Sequence, residues 1–300
     1  MNGPGNVPQP IPYQGSKRLL APDILRCFPM QVQRLVEPFA GSAAISLAMA
    51  ASKRAARFWI NDAHGPLIEL WKTMVGEPDE LADQYEKLWD DQTGQEREFF
   101  NEVRTRFNET HAPADFLYLL ARCVKAAIRY NSRGEFNNTP DNRRKGARPA
   151  EMRLRIQHAH QLLKARTEFT SDDYRSVLRK CKKKDLVYMD PPYQGVCGNR
   201  DQRYMPSIVH AEFCDELEAL NKRNIMYAVS YDGRTGNKVF GEPMPESLGL
   251  AHLELMAGRS TQATLLGRQD VTYVALYLSP ALAELIDVNC SPGEKQLALW

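Results

Sequence analysis

The sequence predicts an α/β fold, a mixed sheet of six or seven strands interrupted by a helical insert, and three observations predict it. Arg34–Phe39 (RLVEPF) is a short apolar run that ends in the tight turn Ala40-Gly41-Ser42, and a helix of small residues follows from Ala43 to Ser52. Arg57–Asn61 (RFWIN) is a second such run ending at Asp62, so strand, turn, helix, strand and acidic residue come in the order of a nucleotide-binding unit. Much later, Asp185–Met189 (DLVYM) delivers Asp190-Pro191-Pro192-Tyr193 at the carboxyl end of a strand, where open α/β sheets bind ligands.

The remaining elements follow in order. A helix from about Pro66 to Val75 closes the first unit. From Gly76 to Arg166 helical spacing dominates, over Asp79–Trp89, Glu96–Phe107 and Ala114–Ile128. The last of these carries Phe116, Leu117, Leu120, Val124 and Ile128 as one core-facing stripe. Arg129–Ala147 is polar, rich in Asn, Gly, Pro and Arg, with a hairpin near Arg133–Asn138, and a helix follows over Ala150–Lys164. The α/β pattern then resumes with a helix over His210–Lys222 and strands over Ile225–Ser230, His252–Met256 and Val271–Leu278. The expected domains are therefore 1–75 with 165–282, a mostly helical insert over 76–164 with its hairpin at 129–148, and a tail over 283–300.

Composition narrows the function classes. Of 300 residues 43% are hydrophobic and 25% charged, as in ordinary globular proteins. The apolar runs are too short for a bilayer span and residues 1–12 lack a secretory pattern, so the expected location is the cytoplasm. Six cysteines show no CxxC spacing and the histidines are scattered, so no metal site is expected. A net charge of +2 does not announce a nucleic-acid binder. Its distribution is more informative: Arg143, Arg144, Lys145 and Arg148 form one basic cluster, and Arg179, Lys180 and Lys182–Lys184 another. Both are read as flanking the candidate site, where they can hold phosphates.

Each residue of the central tetrapeptide has a chemical use. An exocyclic amine on an aromatic ring is a poor nucleophile because its lone pair is delocalised into the ring. Acceptors aimed at its two hydrogens favour a tetrahedral nitrogen, and Asp190 with the Pro191 carbonyl supplies two. Pro191 and Pro192 fix the backbone in advance. Tyr193 offers an aromatic face on which a flat ring stacks, worth about 1–3 kcal/mol. Asp-Pro-Pro is also a fair structural loop after a strand.

Asp190-Pro191-Pro192-Tyr193 resembles the amino-methylating signature of the Dam-like, D12-class DNA adenine methyltransferases. Further matches come in family order: Tyr13-Gln14-Gly15-Ser16-Lys17-Arg18, Glu37-Pro38-Phe39-Ala40-Gly41, Asn61-Asp62, Tyr130-Asn131 with Arg133-Gly134-Glu135-Phe136-Asn137, and Phe169-Thr170 with Asp173-Tyr174. One departure is Ala43, where the family often has a second turn glycine; alanine suits close approach at negative φ.

The resemblance implies a Rossmann-like S-adenosylmethionine-dependent methyltransferase domain, and transfer of methyl to the N6 amine of a flipped adenine in double-stranded DNA. The expected setting is restriction–modification, phage biology or epigenetic marking. It implies Tyr13 and Lys17 at the methionine part of the cofactor, Glu37, Phe39 and Gly41 at the first turn, and Asp62 at the ribose hydroxyls. Asp190 borders the same site. Asp173 is read either as a contact to the cofactor's adenine or as a helix-capping acid. For DNA it implies Arg133 at a guanine edge, Tyr130 as a wedge, Asn131 and Asn137 at adenine or in turns, and Arg143, Arg144, Lys145 and Arg148 on phosphates.

Two alternatives stand beside it. Cytosine N4-methylation carries Ser before the prolines where this chain has Asp190, and ring-carbon methylation needs a cysteine after proline, which is absent. A catalytically silent DNA-binding accessory protein would not need Asp190 or Tyr193. At the end of the chain, Gln296-Leu297-Ala298-Leu299-Trp300 resembles the Gln-Leu-x-Leu-Phe peptide that engages the bacterial sliding clamp; the alternatives are a packed tail and a chance pentapeptide.

Overall fold

The structure, a computed structural model, describes residues 7–126, 128–141, 143–192, 208–236, 238–259 and 271–289. Tyr193 and residues 296–300 lie outside these. At the centre β1 (Val32–Glu37) pairs in parallel with β2 (Ala55–Asn61) on one side and β4 (Asp185–Met189) on the other. β3 (Thr167–Thr170) extends the sheet beyond β2, and β5 (Met226–Thr235) lies parallel to β4. β8 (Val271–Leu278) and β7 (Ala251–Arg259) then continue it antiparallel. The order is β3-β2-β1-β4-β5-β8-β7, with β6 (Lys238–Phe240) hairpinned onto β5. This is the mixed α/β sheet that the sequence predicts.

The apolar runs are continuous because both faces of the parallel strands are covered. Alternate residues enter different cores: Leu35, Leu186 and Tyr188 join one, Val36, Val187 and Met189 the other. The second core is closed by α8 (Tyr174–Lys180) and α9 (His210–Lys222) through Val177, Leu178, Phe213 and Leu217. The first is closed by α1 (Ala21–Arg26), α2 (Ala44–Ala51), α3 (Gly65–Gly76) and α10 (Pro280–Asn289). Between β2 and β3 come α4 (Pro78–Asp91), α5 (Glu96–Thr110), α6 (Pro113–Arg122) and α7 (Pro149–Leu163). Their buried Tyr85, Phe107, Phe116 and Ile156 belong to the first core, so these helices pack as an extension of one sheet face.

Several boundaries differ from the sequence reading. The third predicted helix of the insert stops at Arg122, short of Ile128, because Cys123 turns extended and pairs with Pro140. Val124, expected in the core stripe, lies in a short 3-10 turn and is 39% exposed. β3, too short and polar to signal itself, forms because β2 offers it an edge, Phe58 to Thr167 through Asn61 to Thr170. The second basic cluster does not flank the site. Residues 179–184 precede β4 while Asp190 follows it, roughly 15 Å away along a five-residue strand. Arg179 and Lys180 there pair with Glu216 and Asp172. No helix among the described residues is long and apolar enough to cross a membrane.

Candidate active site

The chain leaves β1 outward through β2 and β3, then returns to the opposite flank of β1 as β4. The carboxyl ends of β1 and β4 therefore border the crevice at the topological switch point. Glu37 ends β1, and Asp190 is the first residue after β4.

The turn after β1 is held from several sides. Gly41 has φ +50°, and its N–H donates to Asp62 Oδ2 at 2.9 Å. Its carbonyl accepts from Trp71 Nε1 at 3.0 Å. A Cβ at Gly41 would lie 3.0 Å from the Tyr13 ring, so Tyr13 packs on the turn where only glycine leaves room. The expectation for Ala43 is corrected: its φ is +47°, left-handed, because its N–H turns back to the Ala40 carbonyl at 2.7 Å just before α2.

Two acids here are buried. Glu37 accepts from the Ser46 N–H at 2.9 Å and from the Ser46 hydroxyl, satisfying the first turn of α2. Burial pushes its carboxyl up to about 8, against the Ser46 bonds, with the Asp190 charge adding to the rise. Asp62 is likewise pushed up to about 6 by burial, although its oxygens accept from the N–H groups of His64 and Gly41.

Lys17 reaches in from the N-terminal segment. It is buried, and its Nζ lies 2.7 Å from both carboxylate oxygens of Asp190. That segment is docked by Ser16 Oγ on Ser42 Oγ at 2.8 Å and by the Gln14 N–H on the Ala126 carbonyl at 3.0 Å. Pro191 is buried and Pro192 half-buried. Phe39 packs on Tyr174, centroids 5.1 Å apart, and on Phe213 at 6.4 Å. Asp173 is the N-cap of α8, accepting from the Arg175 N–H at 2.9 Å and pairing with its guanidinium.

The segment after Tyr130 forms a tight turn. Asn131 Oδ1 accepts from the N–H groups of Arg133 and Glu135, so its amide builds the turn. Arg133 projects outward, 77% exposed and ion-paired to Glu135 at 2.8 Å, and Asn137 is exposed. Arg143 and Arg144 are also exposed and share Asp141, Lys145 pairs with Glu96, and Arg148 precedes α7. Tyr130 is half-buried, its hydroxyl 2.6 Å from His64 Nε2.

His64 was missed at the level of sequence. Its Nδ1 accepts from the Leu67 N–H at 3.1 Å as the N-cap of α3, so in the neutral ring Nε2–H donates to Tyr130. Burial holds it far below the usual range, at about 3. Its signal was its place before Gly65-Pro66, at a helix start two residues after Asp62.

Comparison with known proteins identifies the family. A family profile described as D12 class N6 adenine-specific DNA methyltransferase matches residues 13–246. The DNA N-6-adenine-methyltransferase of Escherichia phage P1 is 28% identical over 61% of this chain and 23% of its own length. Type II methyltransferase M.FokI of Planomicrobium okeanokoites is 24% identical over 75% and 35%. The DNA adenine methylase of Salmonella typhi is 31% identical over 61% and 64%. The chain thus matches between about a quarter and two thirds of the length of these relatives. The profile takes in Tyr13, Lys17, the Gly41 turn, Asp62 and Asp190 together, and the chain belongs to the D12 class N6 adenine-specific DNA methyltransferase family.

Proposed function

We propose that the protein transfers methyl from S-adenosylmethionine to the N6 amine of adenine in double-stranded DNA. The observation that carries this is Asp190, set at the switch point after β4 and held by Lys17 beside the Gly41 turn. The residues present fit the cofactor: Glu37 and Asp62 are acids buried around one turn, suited to a ligand bearing cationic groups and ribose hydroxyls. Tyr13, Phe39 and Gly41 would line it, with Lys17, Glu37, Asp62 and Asp190 as its polar contacts.

When bound, S-adenosylmethionine supplies an electrophilic methyl group. The chain's part is to place and activate the amine. Asp190 and the Pro191 carbonyl accept its two hydrogens, drawing the nitrogen toward tetrahedral geometry. Each carboxylate oxygen has two acceptor sites, so Lys17 occupies one side and leaves the other for the amine. The two prolines keep both acceptors in place, and no covalent enzyme intermediate is needed. The amine proton leaves to solvent at the exposed edge of Asp190. The base must leave the duplex to reach this crevice, and Tyr193 is the residue on which it stacks.

Radiolabelled methyl transfer to plasmid DNA, followed by nucleoside digestion, tests the reading. N6-methyladenine from wild type and none from Asp190→Ala is the expected result. N4-methylcytosine would move the reaction to the other base. No labelled base from folded, cofactor-loaded protein would leave a DNA-binding role. Residues 296–300 carry a separate proposal, contact with a sliding clamp, tested by clamp pull-down with and without them.

A further inference from the structure

A buried guanidinium marks a second anion site, and the inference rests on the DNA-methylating reading above. Arg122, at the end of α6, is 2% exposed. Its guanidinium meets two main-chain oxygens at long range, Glu96 at 3.3 Å and Asp141 at 3.5 Å, and the Tyr118 hydroxyl. Its Nε is buried without a hydrogen-bond partner among the described residues. The nearby carboxylates are engaged elsewhere, Asp141 by Arg143 and Arg144, Glu96 by Lys145. A buried cation with no salt bridge among the described residues is costly, which argues for a ligand that supplies an anion.

Arg122 lines a cleft of about 390 Å³ together with Gln95, Glu96, Arg97, Glu98 and Lys145. The N-terminus of the fifteen-residue α5 opens into it, and Gln95 places no side-chain cap there. Its first-turn N–H groups have no partner within the helix and favour negative charge. The cleft already stabilises one anion. Lys145 at 2.8 Å, with main-chain N–H groups of Glu96 and Gly94, holds the Glu96 carboxyl down at about 2.

The surroundings select the occupant. Lys145 directly follows the exposed Arg143 and Arg144 in the chain, so the cleft adjoins a basic stretch. We propose that it holds one backbone phosphodiester of the bound duplex, gripped by Arg122, Lys145 and the N-terminus of α5. Glu96 occupies the place in the free protein and yields Lys145 when the phosphate enters. The site is sequence-independent and anchors the duplex while Arg133 reads it.

The test is equilibrium binding of a labelled duplex oligonucleotide by the full chain, between 50 and 200 mM salt, for wild type, Arg122→Gln, Lys145→Ala and Glu96→Gln. Loss of the site should weaken binding on the order of tenfold on every sequence and lower the slope of log K against log salt by about 0.9. Glu96→Gln, which frees Lys145, should bind roughly threefold tighter. Because it is a gain at a surface position, it reads the site even where Arg122→Gln fails to fold. Wild-type affinity and slope in both Glu96→Gln and Lys145→Ala overturn the proposal. Inorganic phosphate that raises the melting temperature of wild type but not Arg122→Gln, with unchanged DNA slopes, overturns the DNA assignment in favour of a free anion. Duplex binding with the expected slopes but no methyladenine leaves the phosphate site standing and removes the methylation reading instead.

Discussion

The ammonium nitrogen of Lys17 lies 2.7 Å from each carboxylate oxygen of Asp190, joining residues 173 positions apart. The pair fixes the orientation of the acceptor on which the proposed chemistry depends. It also ties the N-terminal segment, with Tyr13 on the Gly41 turn, to the end of β4.

Asp190→Ala removes an acceptor and leaves the buried Lys17 without its carboxylate. Methyl transfer should fall by about 10²–10³ or more. Lys17→Gln keeps Asp190 but loosens it, so the loss should be smaller and should lie in kcat as well as in cofactor affinity. Single-turnover methyl transfer with saturating cofactor separates the two; an unchanged kcat for Lys17→Gln would show the ion pair to be idle.

Glu37 predicts a pH linkage. Its carboxyl is raised from 4.5 to about 8, so between those values the folded protein holds a proton that the unfolded chain has released. Folding stability attributable to Glu37 therefore falls as pH rises through that window. A cationic ligand favours the ionised form, so cofactor affinity should rise with pH up to about 8, with proton release on binding. Calorimetry in two buffers of different ionisation enthalpy measures the release, which Glu37→Gln should remove.

Gly41→Ala puts a methyl group 3.0 Å from the Tyr13 ring at φ +50°. The left-handed backbone alone costs about 1–2 kcal/mol. Cofactor affinity should drop with stability, and adding Tyr13→Ala should recover part of the steric loss but none of the backbone strain. Melting temperatures of the two single variants and the double variant check this; strict additivity would mean that ring and turn do not touch.

Tyr130→Phe deletes the hydroxyl that receives the His64 Nε2–H. The net cost should be about 1 kcal/mol or somewhat more, since His64 is left with a buried donor. Hydrogen exchange over the Asn131–Phe136 turn should quicken while the sheet is unaffected. Equal exchange in both proteins would show that this bond does not dock the turn.

Arg133 is exposed and, among the described residues, pairs across its own turn with Glu135. Arg133→Ala should therefore leave stability and cofactor affinity near wild type, yet relax or abolish target-site preference, by about 1–3 kcal/mol at one base pair. Long-read sequencing that scores methylated sites in cells making the variant reads this directly, and an unaltered site preference removes Arg133 from recognition.

By itself the sequence determined the family motifs and their order. A two-residue period or a short apolar run marks β1, β2 and β4, and the turn chemistry of Gly41 and Asp190-Pro191-Pro192 follows each strand end, so fold class and candidate site were legible from local signals. It did not carry the partnerships. That Lys17 meets Asp190, that Glu37 caps α2 through Ser46, and that His64 joins Asp62 to Tyr130 depend on the return of the chain to the far side of β1 and on the packing of the helical segment against the same core. The same packing buries Arg122 with its Nε unpartnered among the described residues and parts the 179–184 cluster from the site. Such contacts join residues far apart in the chain, and their energies arise only when burial raises the cost of a lone charge, which no local pattern records.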